Sequence, residues 1–228
     1  MPLDLVEVPG LACPPAFAGA PAFPGSRDPK KPLAGAALVA PNRLTRRDAK
    51  RRLLDATAAA NAVRELGSLP ARGESLHVVM RGNFHFWSIV PAVVALARPA
   101  RVEVLHVATL GTNKANTASL CALLDAGDVR RCVFLASCYF RDASASIWGD
   151  LKAALAERGH RAAAVRNHAK VILFKLDDGR AIAVEGSANL RSCNNLEQFA
   201  MTADEDLRAF HARWIDEAVA GDRGAHAA

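Results

Sequence analysis

At 228 residues, 51% of them hydrophobic and 23% charged, the chain is too apolar for a disordered tail and too poor in cysteine for a disulfide miniprotein. Its 29 Lys and Arg against 23 Asp and Glu give a formal charge of +6, which points to a polyanionic partner, either nucleic acid or an anionic membrane surface. The excess is uneven: residues 1–72 hold eleven basic and six acidic side chains, residues 73–228 eighteen and seventeen.

Nine of the twelve prolines fall in residues 1–41, mixed with Ala and Gly, so this stretch is expected to be an extended arm without long helices or ladders. A second segment, 42–72, is predicted to be a basic helix. T-R-R-D at 45–48 offers a capping box, Leu53, Ala56, Ala60 and Val63 follow at helical spacing, and Gly67 supplies a stop. Arg43, Arg46, Arg47, Lys50 and Arg51 crowd its start, a density that points to phosphate contacts on nucleic acid.

Residues 73–228 form the third segment, the expected catalytic domain. LHVVM (76–80) reads as a strand, 84–97 as a helix interrupted near Pro91, and 101–110 as a strand. Residues 112–127 follow as a helix with a glycine stop, 129–140 as a buried strand and 145–159 as a helix. The alternation predicts an α/β fold with a mixed, largely parallel sheet flanked by helices. Then 161–176 and 180–190, two apolar runs flanking Asp177, Asp178 and Gly179, predict a late β-hairpin, and 205–221 predicts a closing amphipathic helix.

The five cysteines (Cys13, Cys121, Cys132, Cys138, Cys193) are odd in number and form no C-x-x-C pair, which argues for free thiols in a reducing compartment. No run reaches the roughly 18 apolar residues of a membrane span, and no basic region followed by an apolar core opens the chain. A cytoplasmic protein without stable membrane association is the expectation. His77, His85, His106, His160, His211 and His226 fall on core-like or terminal positions and are assigned no role; Trp87, Trp148 and Trp214 are read as core.

The predicted hairpin carries the chemistry. His168 and Lys170, two apart on one strand, leave the same face, and Ser187 and Asn189 do likewise on or just past its partner. An imidazole is a nucleophile near neutral pH, an ammonium neutralises non-bridging phosphate oxygens, and a hydroxyl and a carboxamide donate hydrogen bonds to the charge that builds. Glu197, shortly after, is placed to fix the imidazole tautomer. This set suits phosphodiester cleavage through a covalent phosphohistidine, with no metal and no cofactor required.

H-A-K at 168–170 with G-S-A-N at 186–189 resembles the H-x-K … G-S-x-N signature of the phospholipase D superfamily, and N-x-E at 195–197 is similar to that superfamily as well. The resemblance covers about residues 75–220. It implies His168 as nucleophile, Lys170, Ser187 and Asn189 as phosphate cradle, and Glu197 as the residue that orients the imidazole. One position departs from the family pattern: Lys175 stands where the family usually has an Asp, and the acids lie in the turn at Asp177 and Asp178.

Family members with two motifs pair them across a pseudo-twofold axis. This chain has one, so the resemblance implies a homodimer with the site at its interface. Small bacterial members with this layout resemble endonucleases, which makes a metal-independent nuclease the leading expectation, with DNA ahead of RNA as partner. A phospholipid-hydrolysing enzyme and a non-catalytic nucleic-acid-binding module with a degenerate site are the alternatives.

Overall fold

The computed structural model describes residues 45–47, 51–56, 62–80, 86–190 and 195–225. The expected arm at 1–41, together with Arg43 and Lys50, lies outside the described residues. In chain order the elements begin with β1 (Thr45–Arg47), β2 (Arg51–Ala56), α1 (Ala62–Leu66), β3 (Ser75–Met80) and a 3₁₀ turn (Phe86–Ser88) that runs into α2 (Ile89–Ala97). Next come β4 (Val102–Ala108), α3 (Lys114–Asp125), β5 (Cys132–Ser137), α4 (Cys138–Ala143), α5 (Ala145–Glu157) and β6 (Arg161–Val165). The chain continues through β7 (Val171–Leu176), β8 (Ala181–Gly186), β9 (Glu197–Thr202) and α6 (Glu205–Ala225).

The described strands form one mixed sheet in the order β1-β2-β3-β9-β8-β7-β4-β5-β6, with helices on its faces. The fold is α/β, but the sheet is not largely parallel. Only β2/β3, β4/β5 and β5/β6 pair parallel, while the other five neighbouring pairs are antiparallel. The parallel half comes from the β4-α3-β5-α5-β6 alternation. The run 161–176 then splits into two strands: β6 ends beside β5, and β7 returns to the far edge of β4 in antiparallel sense. The hairpin β7–β8 and the unanticipated strand β9 fill the centre and join it to β3.

The expected basic helix is corrected. Thr45–Arg47 and Arg51–Ala56 pair as an antiparallel ribbon, and β2 runs parallel along β3, from Arg51 opposite Ser75 to Ala56 opposite Met80. An edge of β3 needs partners for its N–H and C=O groups, and pairing with it outweighs a capping box whose helix would be stabilised only locally. Among the described residues of this segment, helix is found at Ala62–Leu66, ending where Gly67 takes φ 66. Pro91 does not interrupt its helix either: it sits in the first turn of α2, where its missing N–H costs no bond. The strand expected to reach 140 stops at Ser137, whose hydroxyl accepts from the Tyr139 N–H and starts α4.

Side chains alternate between two cores. On one face Leu105, Val107, Phe134, Ile172, Phe174, Val184 and Phe199 pack with Ile89, Val90, Leu120, Leu151 and Leu155 from the flanking helices. On the other, Val133, Leu135, Leu173 and Ala183 meet Ala212, Ile215 and Val219 of α6. This two-sided burial is why the inner strands read as continuous apolar runs. Asp-Gly closes the hairpin: Gly179 holds φ 87 and the Leu176 N–H donates to the Arg180 carbonyl at 2.9 Å.

His106 on β4 is buried under α6, only 2% exposed, with Nε2 3.3 Å from an Asp216 carboxylate oxygen and Nδ1 without a partner. Burial holds its pKa below the ordinary histidine value, against the opposing pull of Asp216. As pH falls through about 6.5, the unfolded chain takes up a proton that the folded chain refuses. Stability is therefore complete above that value and declines below it, until the folded group itself protonates. Unfolding free energies from urea titrations at pH 7.5 and 5.5 should fall more steeply for the native protein than for His106→Leu, by at most about 1.4 kcal/mol per pH unit. Equal slopes would contradict this.

Candidate active site

The C-terminal ends of β3, β4, β5, β6 and β8 meet the starts of β7 and β9 at one end of the sheet, opposite the β7–β8 turn. His168 and Lys170 stand there, in the crossing segment just ahead of β7 rather than on the strand itself. The ladder nevertheless extends to Lys170, whose carbonyl accepts from the Gly186 N–H at 3.1 Å. This bond sets the H-A-K segment beside G-S-A-N.

Asn167 fixes the crossing. Its carboxamide nitrogen donates to the Thr109 and Leu135 carbonyls at 3.2 and 3.3 Å, and its oxygen accepts from the Ala169 N–H at 2.9 Å. The ends of β4 and β5 are thereby tied to the residue before His168. Sequence reading missed this role. The available signal was an Asn immediately ahead of the H-x-K, a residue type that bonds backbone two positions on.

Lys170 donates from Nζ to His168 Nδ1 at 2.9 Å and to the His168 carbonyl at 2.7 Å. An imidazole that accepts at Nδ1 while neutral carries its proton on Nε2. His168 is exposed and Lys170 half-buried. Burial pushes the Lys170 ammonium below the usual lysine range, and the Glu197 carboxylate pulls the other way.

Ser187 leaves β8 with its N–H donating to the Gln198 carbonyl at 3.0 Å, while its Oγ accepts from the Gln198 N–H at 3.1 Å and donates to Glu197 Oε2. Glu197 begins β9, opposite Met80. Within one chain Glu197 holds the Ser187 hydroxyl, and the imidazole's hydrogen bonds go to Lys170. The reason is register, since β9 pairs with β8 and β3 and not with the strand that His168 precedes.

Gly186 permits the close approach of β9. A Cβ there would lie 2.8 Å from the Gln198 carbonyl oxygen and 2.9 Å from Phe199 Cβ. Gly186→Ala is expected to cost about 1–3 kcal/mol by overpacking, read as a lower urea midpoint, and to shift Ser187 and Glu197 with the displaced strand. An unchanged midpoint would contradict the fit.

Asn189 stands apart from these contacts. It lines a cleft of about 130 Å³ with Leu110, Gly111, Tyr139, Phe140, Ala143 and Ser144, and its Oδ1 is buried without a hydrogen-bond partner. The structure thus joins His168 to Lys170 and Ser187 to Glu197, brings Glu197 into the field of Lys170, and sets Asn189 in a neighbouring cleft.

The arginines expected to bind nucleic acid lie elsewhere. Arg46 and Arg47 are on β1 and Arg51 opens β2, so no helix presents them. The register opposes Arg46 to Arg52 and Arg47 to Arg51, and places Arg51 beside Ser75, at the other end of β3 from Met80 and Glu197. Five residues of strand separate those ends, about 17 Å.

Among the described residues no three His, Cys, Asp or Glu side chains group to hold a metal ion. No described helix is long and apolar enough to cross a membrane. No protein-family model matches the chain, and no curated protein matches it in sequence.

Proposed function

We propose that the chain is a phosphodiesterase of the phospholipase D type that cleaves nucleic acid through a phosphohistidine on His168, at a site completed by a second copy of the chain. The observation that carries this reading is the meeting of His168 and Lys170 with Ser187 and Glu197 at one sheet end, in the order their motifs require. Each group has a task that the others cannot perform.

A bound phosphodiester competes for the Lys170 ammonium, which leaves Nδ1 for a non-bridging oxygen and frees the ring to present a lone pair. That nitrogen attacks phosphorus and the bond to the leaving oxygen breaks. The leaving oxygen takes its proton from His168 of the partner subunit. Lys170 and the Ser187 hydroxyl, turned from Glu197 to the phosphate, hold the charge of the transition state. Water then attacks phosphorus, the P–N bond breaks, and the water proton passes to the second imidazole. Both nitrogens end as they began.

The arginine ribbon, about 17 Å along the strands from Glu197, would contact a substrate well away from the cut, so it contributes affinity rather than chemistry. We place the protein in the cytoplasm on the strength of its free thiols Cys121, Cys132 and Cys138. Burial pushes the Cys132 thiol up to about 12, so it packs as an inert group.

The test is cleavage of single- and double-stranded DNA oligonucleotides in excess EDTA. Turnover by the native protein and none by His168→Ala is expected. Full activity in His168→Ala would overturn the reading, and DNA binding without turnover in any buffer would make the site a phosphate-binding module instead.

A further inference from the structure

Most of the arginines whose side chains are described are committed to a carboxylate. Arg98 pairs with Asp128, Arg130 with Asp177, Arg158 with Asp125, Arg180 with Asp178 and Arg208 with Glu205. The two ends of β6 show a contrast. Arg161 at its start pairs with Asp216 of α6. Arg166, the residue after its last, is exposed and has no ion pair or hydrogen bond among the described residues.

Arg166 also stands where the chemistry is. Val165 pairs with Ser137 at the end of β5, so the next residue lies at the sheet end that carries His168. From there the chain crosses to β7, and the Asn167 carboxamide pins the crossing to the Thr109 and Leu135 carbonyls. The Arg166 backbone is thereby held next to the clamp, and two residues of chain put its Cα at most about 7 Å from that of His168. Glu197 and Asp142, acids at this sheet end, are engaged elsewhere, with the Ser187 hydroxyl and with Arg141. An exposed guanidinium left without a counter-ion is a planar, bidentate donor suited to a phosphate.

The direction of the crossing decides which phosphate. Lys170 and Ser187 stand on the β7–β8 side of His168, whereas Arg166 approaches it from the ends of β5 and β6. Phosphates of one strand follow at about 3.4 Å of axis per nucleotide, so with the scissile phosphate at His168 the Arg166 fork falls on a neighbour one or two nucleotides away. We infer that Arg166 binds a backbone phosphate flanking the scissile one, on the side away from Ser187, and that the substrate is a polynucleotide laid across the ends of β5 and β6. A phospholipid, with one phosphodiester, has nothing to offer it. The inference rests on the nucleic-acid reading above and deepens it.

The test is fluorescence anisotropy of a single-stranded DNA oligonucleotide over a salt series, with the full chain carrying His168→Ala so that nothing is cut. Adding Arg166→Gln should lower the slope of log affinity against log salt by about 0.7, the share of one phosphate contact, and Arg166→Lys should restore most of it. Arg166 is exposed, so neither substitution opens the core. In the chain with native His168, Arg166→Gln should raise KM for the oligonucleotide with kcat held, and leave hydrolysis of bis(4-nitrophenyl) phosphate, which has one phosphate, unchanged. No DNA binding, a slope that Arg166→Gln leaves unaltered, or equal losses on both substrates would overturn the assignment. Failure of the phosphodiesterase reading shows separately, as a slope change that stays while neither substrate turns over.

Discussion

His168→Ala is expected to reduce phosphodiester hydrolysis by on the order of 10⁴-fold or more, because the covalent route needs a nitrogen that no neighbour replaces. His168 is exposed and its hydrogen bonds run only to Lys170, so folding stability should move by less than about 0.5 kcal/mol. The contrast separates chemistry from structure. Lys170→Met should cost about 10²–10³-fold, since it removes a charge that the transition state uses without removing the nucleophile. Rates measured in EDTA beside urea unfolding of the same variants check both statements. A His168→Ala protein with rates near the native value would end the covalent account.

Mixing native chains with His168→Ala chains is expected to depress activity more than dilution does. If one imidazole attacks and the other protonates the leaving oxygen, only pairs with two native chains turn over. An equal mixture that has exchanged subunits then retains about one quarter of the native activity, where independent sites would retain about one half. Steady-state rates across a series of mixing ratios distinguish a quadratic from a linear dependence. A linear series would show that each chain works alone and would remove the second copy from the mechanism.

The sequence made part of this site legible and hid the rest for physical reasons. H-A-K and G-S-A-N could be read because they flank a hairpin that Asp178 and Gly179 mark strongly, and the Gly186-to-Lys170 bond holds the two segments together as that hairpin requires. The break at Arg166–Lys170 was concealed within one long run, since β6 and β7 are both apolar and only the crossing at Asn167 separates them. Asn167 itself takes its role from carbonyls 58 and 32 positions away, which local spacing does not encode. The ribbon of Thr45–Arg47 with Arg51–Ala56 was hidden in the same way. Its sequence carries helix signals, while its partner Ser75–Met80 lies later in the chain, and a nonlocal pairing won. The contact of Glu197 with Ser187 was hidden because register sets it: β9 pairs with β8 and β3, and that pairing lays the start of β9 beside the end of β8.

The central claim is a bond between His168 and phosphorus, and acid-sensitive mass spectrometry of the intermediate tests it most directly. Single-turnover reaction with an oligonucleotide, quenched at alkaline pH where the phosphorus–nitrogen bond survives, should leave a peptide whose His168 is joined through phosphorus to one fragment of the oligonucleotide, a bond that acid then cleaves. Slower-reacting variants of the second step should accumulate more of it. Turnover under the same conditions with His168 unmodified throughout, or with the adduct on another residue, would contradict the account.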